Sequence, residues 1–448
     1  MQFSAPLSVI GRAWLAAAFV VAAAPLAAQD GALRGEIDRR LAQVEAKVLA
    51  WRRDIHQHPE LSNREVRTAK LVADHLRSLG IEVRTGVAHT GVVGTLRGGQ
   101  PGPVVALRAD MDALPVTEEV NLPFASRVRT TYNGQEVGVM HACGHDTHVA
   151  MLMGVAEALA GMRERLPGTV KFIFQPAEEG PPTGERGGAE LMIEQGVLEN
   201  PKPAAIFGLH VFSTLPLGEL HVRPAGIMAS SDFLRVVVRG RQTHGAMPWE
   251  GVDPIVVASQ IILGLQTITS RQTNVTLAPA IVTVGSIQGG VRFNIVPDSV
   301  VLLGTIRAFD ADMQKDIHER VRRTAQRIAE SAGATAAVEI EARAPVTYND
   351  PALTARMEPT LKRVVGDSAV HLATPTTTAE DFSRYQKVIP GLFVFLGVTP
   401  RTADSKTVAA NHSPRFFVDE RAMGTGMRVM AHMAVDFLGE SSTRVGSQ

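Results

Sequence analysis

Three apolar runs in this chain each stop at side chains that cannot be buried alone. Val104–Leu107 leads into Arg108-Ala-Asp-Met-Asp112, Thr169–Phe174 into Gln175-Pro-Ala-Glu-Glu179, and the short strand Ala204–Leu209 ends at His210. Near-continuous apolar runs are strands covered on both faces. The helical patterns between them predict an α/β domain whose mostly parallel sheet is flanked by helices. Open sheets of this class bind ligands in the crevice at the carboxyl ends of their strands, so the three clusters are expected to converge in space. Two adjacent acids after a buried strand cannot both face a core, because an unpaired buried carboxylate is too costly.

The rest of the chain extends this plan. Ile37, Leu41, Val44, Val48 and Trp51 recur at helical spacing, and a second amphipathic stretch, Glu65–Leu79, stops at Gly80. Strand patterns follow at Ile81–Val87 and Gly91–Leu96, and a helical one at Val149–Arg163. After Pro224 the order changes to strand Phe233–Val238, helix Asp253–Thr269, strands near Val275–Ile287 and Val300–Arg307, helix Asp310–Ser331 and strand Ala336–Ile340. That β-α-β-β-α-β order is ferredoxin-like. Residues 225–342 therefore read as a domain inserted between two parts of a catalytic domain, 30–224 and 343–440. The returning part holds a helix at Pro351–Val364, the segment Thr376-Thr-Thr-Ala-Glu-Asp-Phe382, strand Leu392–Val398 and Asn411-His-Ser-Pro414.

Arg12, the apolar run Ala13–Ala24 and the small residues Ala27 and Ala28 read as a signal peptide over residues 1–28. The run is short for a bilayer span. The expectation is an exported protein, periplasmic or secreted, with no membrane attachment after cleavage. With 45 basic and 45 acidic residues the formal charge is zero, which gives no polyanion surface and no reason to expect a nucleic-acid partner.

His141-Ala-Cys-Gly-His-Asp-Thr-His148 contains the only cysteine of the chain. One cysteine forms no internal disulfide, and a lone cysteine is ordinarily a small buried hydrophobe. Beside His145 and His148 in a polar loop, Cys143 reads instead as a metal ligand, since zinc and similar cations accept thiolate, imidazole and carboxylate together. Cys143, His145, Glu179, His210 and His412 would supply five ligands to two divalent cations sharing a water. Zinc or manganese suits that set, and cobalt or nickel also accepts it. Metal charge lowers the pKa of such a water. Glu178, beside Glu179, would carry its proton to a leaving amine. Asp112 reads as a residue that orients a ligand or substrate group, and Asp110 equally as a structural cap. His141 and His148 read as neighbours of the site, and His56 and His58 as fixing a helix–turn junction. No Gly-x-Ser-x-Gly elbow and no glycine-rich phosphate fingerprint accompanies these residues.

The motifs Arg108-Ala-Asp-Met-Asp-Ala-Leu-Pro115, Met140-His-Ala-Cys-Gly-His-Asp-Thr-His148, Gln175-Pro-Ala-Glu-Glu-Gly180 and Gly208-Leu-His-Val211, in this order, resemble the dinuclear metallopeptidases of the aminoacylase–carboxypeptidase family. The branch is that of hippurate hydrolases, N-acetyl-amino-acid deacetylases and plant auxin–amino-acid conjugate hydrolases, and the likeness runs from about Ala46 to Leu438. The resemblance implies the five ligands named above and Glu178 as general acid/base. It also implies a homodimer through the inserted domain, in which His244 reaches the opposite subunit's site to hold the scissile carbonyl oxygen. Asn294 and Arg307 resemble substrate-binding positions, Arg307 suiting a carboxylate. On the residues alone these three are ordinary loop, strand and turn positions. Pro181–Gly188 is longer than the glycine loop usual in the branch, and lies where it would reshape an acyl pocket.

The function expected is metal-dependent hydrolysis of the amide bond of N-acyl or N-aroyl amino acids. Two alternatives remain open at this point: a metallo-carboxypeptidase or dipeptidase acting on short peptides, and a non-catalytic exported protein that binds metal or peptide. The retained Glu178 argues against the last, since a binder needs no proton carrier.

Overall fold

The computed structural model describes residues 1, 13–404 and 407–445. The first part of the chain holds α1 (Ala13–Gln57), α2 (Val66–Ser78), β1 (Glu82–Val87), β2 (Gly91–Arg97), β3 (Gln100–Asp110), α3 (His145–Ala160), β4 (Pro167–Gln175), β5 (Ala205–Pro216) and β6 (Leu220–Val222). Next come β7 (Ser231–Arg239), α4 (Pro254–Thr267), β8 (Ala280–Gly289), β9 (Ser299–Ala308), α5 (Ala311–Ser331) and β10 (Thr335–Ala344). The last part holds α6 (Pro351–Val365), β11 (Val370–Leu372), β12 (Gly391–Thr399) and α7 (Ala422–Val445). Arg12, with most of the charged start of the expected signal peptide, lies outside the described residues. The backbone from Ala13 belongs to α1. Among the described residues no helix is long and apolar enough to cross a membrane.

Eight strands form one sheet in the order β1-β2-β4-β3-β5-β12-β6-β11. The four central strands, β4, β3, β5 and β12, are mutually parallel, as their apolar sequences predict. The outer pairs β1–β2, β2–β4 and β12–β6 are antiparallel. Both faces are covered: Leu107, Phe172, Phe207 and Leu396 pack under α1, α3 and α7, while Ala106, Ile173, Ile206 and Phe393 pack on the other side. α3 is buried on nearly every side, which explains the unbroken run of small and apolar residues from Val149 to Ala156.

β7 to β10 form a separate antiparallel sheet, ordered β8-β9-β7-β10. With α4 and α5 this is the ferredoxin-like arrangement. α5 shows why it forms here. Asp310 caps it by accepting the Met313 N–H at 2.8 Å, and Met313, Ile317, Val321, Ala325 and Ala329 repeat every four residues to give one buried stripe. Asp253 caps α4 in the same way, ahead of Pro254 at its first position.

One strand differs from its sequence reading. β5 does not end at His210 but continues to Pro216. Its ladder with β3 stops at Gly208, while β12 pairs with it as far as Pro216 and keeps the backbone extended. His210 is therefore still in a strand, just past the point where its ladder with β3 has ended. This places it at the open edge all the same.

Candidate metal centre

Local backbone geometry aims the clusters at one another. Gly144 adopts φ +89° between Cys143 and His145, and a Cβ there would lie 2.4 Å from a Val211 methyl, so only glycine fits the turn that starts α3. Ala177 (φ +53°) and His412 (φ +72°) take the same left-handed conformation without being glycine. Such strain persists where the surroundings fix it. The Ala177 N–H is held by the Glu65 carboxylate at 2.9 Å, and the His412 N–H by the Ala142 carbonyl at 2.8 Å.

The structure brings all five expected ligands together. Cys143 Sγ lies 3.4 Å from His210 Nε2, and His412 Nε2 lies 3.1 Å from Glu179 Oε1. His145 Nε2 is 3.9 Å from both Glu178 Oε2 and Glu179 Oε1. Two sets, Cys143/His145/His210 and Cys143/Glu179/His412, each place their ligand atoms within 4.8 Å of one another. Cys143 belongs to both, so one sulfur faces two positions.

The donors fit cations better than they fit each other. His145 Nε2 is buried with no hydrogen-bond partner, a costly state that a cation relieves. The second nitrogens of the two buried imidazoles are oriented from behind: His210 Nδ1 by the Val211 carbonyl at 2.8 Å, and His145 Nδ1 by Asp112 at 3.3 Å. Burial pushes the Cys143 thiol up and the His210 imidazole well down, the latter reinforced by His148. A bound cation supplies the charge that would let the thiol ionise.

Asp112 does more than orient His145. It accepts the backbone N–H groups of Glu178 (3.1 Å) and Glu179 (3.0 Å) and the Ser62 hydroxyl (2.7 Å), fixing the turn that carries both glutamates. Asp110 is no cap. It is fully buried and holds His148 Nδ1 at 2.6 Å, while His148 Nε2 accepts the Val211 N–H at 3.0 Å. Both nitrogens of His148 are thus engaged within the protein. His141 is buried beside the site with neither nitrogen partnered, and burial lowers it to about 3. His56 bridges Asp146 (2.9 Å) and Glu118 (3.2 Å), while His58 bonds back to the Asp54 carbonyl.

Burial raises the Glu178 carboxyl well above its usual range, and the nearby charges of Glu380, Glu179 and Asp381 add to this. Glu380 and Asp381 went unassigned in the sequence, as did their partner Arg108. Arg108 reaches Asp110, Glu380 (2.9 Å) and Asp381 (3.1 Å), and Gln175 donates to Asp381 at 2.7 Å. The signal was present: Arg108 sits two residues before Asp110 on a strand, hence on the same face, and Glu380-Asp381 repeats the paired acids of 178–179 in the returning segment.

Three expected residues stay apart from this cluster in the single chain. His244 is exposed, its Nδ1 accepting the Ala246 N–H at 3.0 Å. Asn294 accepts the Gly245 N–H on its carbonyl at 2.9 Å. Arg307 is half-buried and donates to the Thr377 carbonyl at 3.2 Å.

A family model described as Peptidase family M20/M25/M40 matches residues 106–436. The chain belongs to this family. It is 41% identical over 397 residues to thermostable carboxypeptidase 1 of Saccharolobus solfataricus, covering 88% of this chain and 96% of that one. It is 39% identical over 391 residues to N-acetylcysteine deacetylase of Bacillus subtilis, covering 87% and 96%. The crystal structure of the Bacillus subtilis YXEP protein, described as a dinuclear metal binding peptidase of the M20 family, matches with a TM-score of 0.75 at 35% identity, over 89% of this chain and 99% of that one. As a member of the M20/M25/M40 peptidases, the chain is a metal-dependent hydrolase.

Proposed function

We propose that this chain hydrolyses the amide bond of N-acyl or N-aroyl amino acids, releasing a carboxylic acid and a free amino acid. The observation that carries this reading is Glu178: a buried carboxyl of raised proton affinity set 3.9 Å from His145 and next to Glu179. When bound, two divalent cations supply Lewis acidity and make water acidic enough to attack at neutral pH. Zinc or manganese suits the donors, with cobalt and nickel also accommodated, and Cys143, His145, Glu179, His210 and His412 would hold the pair.

Glu178 takes a proton from the attacking water and later delivers it to the nitrogen of the breaking C–N bond, which leaves as an amine. The raised proton affinity of Glu178 helps it hold the proton between the two transfers. Asp112 holds Glu178 and Glu179 by their backbone N–H groups, so the proton carrier and a ligand move as one unit. The reading extends to a homodimer through the inserted domain, which would bring His244 to the partner's site, and to Asn294 and Arg307 contacting substrate. Support for the dimer is the apolar surface beside His244, where Trp249, Val291 and Phe293 are 75%, 97% and 96% exposed. Export, with removal of residues 1–28, completes the proposal.

The identity to a carboxypeptidase favours a second reading, cleavage of short peptides by the same chemistry. Purified enzyme offered hippurate, N-acetyl-amino acids and dipeptides, with its metal content measured in parallel, separates the two. Turnover of the N-acyl amino acids is expected. Turnover confined to dipeptides replaces the first reading with the second, and no turnover by metal-loaded protein leaves only a binding role.

A further inference from the structure

We propose a second, separate divalent-cation site made by Glu219, His221 and His371 at the outer end of the large sheet. His221 on β6 and His371 on β11 are direct partners in a parallel ladder, so their rings leave the same face. Glu219 stands two residues before His221, the spacing that returns a side chain to that face. Both ring Nε2 atoms approach one carboxylate oxygen, Glu219 Oε2, at 3.5 Å from His221 and 3.4 Å from His371. The three ligand atoms lie within 4.8 Å of one another.

The bland alternative is an ordinary ion-paired histidine cluster, and three observations weigh against it. Neither Nε2 has a hydrogen-bond partner, although both are shielded from solvent. The contacts are longer than the ~2.7–3.2 Å of a hydrogen bond. They instead match the separation of roughly 3.4 Å between ligands bonded tetrahedrally to zinc at ~2.0–2.2 Å. The rings also stand with centroids 4.9 Å apart, so protonating both would set two cations against each other. Burial lowers the proton affinity of His221, His371 adds to this, and together they outweigh the opposing pull of the Glu219 carboxylate.

Arg401 does not fill the gap. Its guanidinium is 3.2 Å from the other carboxylate oxygen, Glu219 Oε1, which orients the carboxylate and leaves Oε2 for the cation. Two neutral imidazoles and one carboxylate form a donor set for zinc, with water in the fourth position.

This site is distinct from the five-residue cluster. His210, Phe395, His221 and His371 form one cross-strand row, and Phe395 separates the two groups. Two strand spacings put the backbones of His210 and His221 about 10 Å apart. A cation here would clamp β11, from the returning part of the chain, onto β6 from the first part.

The test counts zinc per chain in the purified holoenzyme after equilibration in micromolar zinc and desalting. The wild type is compared with His371→Asn and with His221→Asn/His371→Asn. One equivalent fewer in each variant, with hydrolysis unchanged, is expected. Equal zinc content in all three overturns the site. Should the variants fail to fold, anomalous diffraction at the zinc edge from wild-type crystals decides. A peak between the two rings and Glu219 supports the site, and its absence there overturns it.

Discussion

The eight-stranded sheet is covered on both faces, and at its C-terminal edge Arg108, Asp110, Asp112, His145 and Glu380 are all nearly inaccessible. The four-stranded sheet is covered by α4 and α5 on one face only. Its strands alternate buried and accessible residues, and β10 is accessible along most of its length. Charges at the buried edge must therefore be paired or must converge on something, because isolation costs several kcal/mol per ion. The polar groups of the smaller sheet meet no such requirement. His244 lies exposed. The first region carries a site whose parts the chain itself assembles. The second leaves its polar groups, His244 among them, at the surface.

The largest effect tests the buried edge. Glu178→Gln is expected to lower kcat by about 10²–10⁴-fold, the usual contribution of a positioned proton carrier, while metal content by elemental analysis stays at the wild-type level. Turnover persisting with metal bound would move the proton to another group and end the assignment.

Asp146 tests the same region through stability. It is ion-paired with Arg52 (2.9 Å) and His56 (2.9 Å) with no exposure. Burial alone would raise its carboxyl, but Arg52 and His56 outweigh burial and hold it far below the usual range. A depressed carboxylate contributes stability above the ordinary aspartate pKa and loses that contribution as pH falls toward the depressed value. Asp146→Asn is expected to destabilise by about 1–3 kcal/mol, since it removes the charged partner that Arg52 and His56 share and leaves Arg52 only Glu420, at 3.3 Å. The same substitution should also flatten the acid limb of stability against pH. Urea unfolding at several pH values checks both, and an unchanged acid limb would count against the pairing.

His244→Ala probes the other side of the comparison. If His244 donates to the scissile oxygen across a dimer, kcat should fall about 10²–10³-fold, as for other lost donors of this kind. Mixing refolded Glu178→Gln and His244→Ala chains should then restore turnover, because one hybrid site carries neither lesion. Absence of rescue, with hybrid dimers shown to form, would confine His244 to its own surface. A smaller effect follows for Asp112→Asn. Metal affinity or activity should drop by about 10–100-fold, the usual size for loss of a ligand's supporting partner, as read by competition with a chelator.

The same contrast explains how much was legible in the sequence. Buried strands announce themselves as apolar runs, so the parallel core and the convergence of Asp112, Glu179 and His210 could be read from strand ends, while Cys143, His145 and His412 came from the histidine–cysteine motif and the family resemblance. The stripe of α5 and its Asp310 cap made the smaller sheet equally readable. The continuation of β5 through His210 was not legible, because it depends on pairing with β12, nearly two hundred residues later. For Arg108 only half was legible: its place on the face of Asp110 could be read from the strand, but its pairing with Glu380 and Asp381 across the fold could not. Tertiary partners chosen across long sequence separations leave no local pattern.

The loop Pro181–Gly188 lies between the two regimes, exposed at Thr183, Gly184 and Arg186 yet tied to the buried edge at both sides. Glu185 accepts from Asn63 Nδ2 at 3.0 Å and pairs with Arg64, and the Arg186 carbonyl accepts from Asn63 (3.1 Å) and His89 (2.9 Å). Gly188 turns at φ +65°, where a Cβ would lie 2.5 Å from Asp381, so the loop ends against the same acids that surround Glu178. Arg64 and Asn63 hold the Glu185 carboxyl down at about 2, so the anchor is charged throughout the working range of pH. Glu185→Gln should leave kcat for the best substrate intact. It should change the ratio of kcat/KM between small and bulky acyl groups by a factor of roughly 1.5 to 5, the scale of a partly exposed ion pair. The change should not vary with pH above the ordinary glutamate range. A uniform loss for every acyl group would show instead that the loop supports Asp381 and the buried edge, and takes no part in acyl selection.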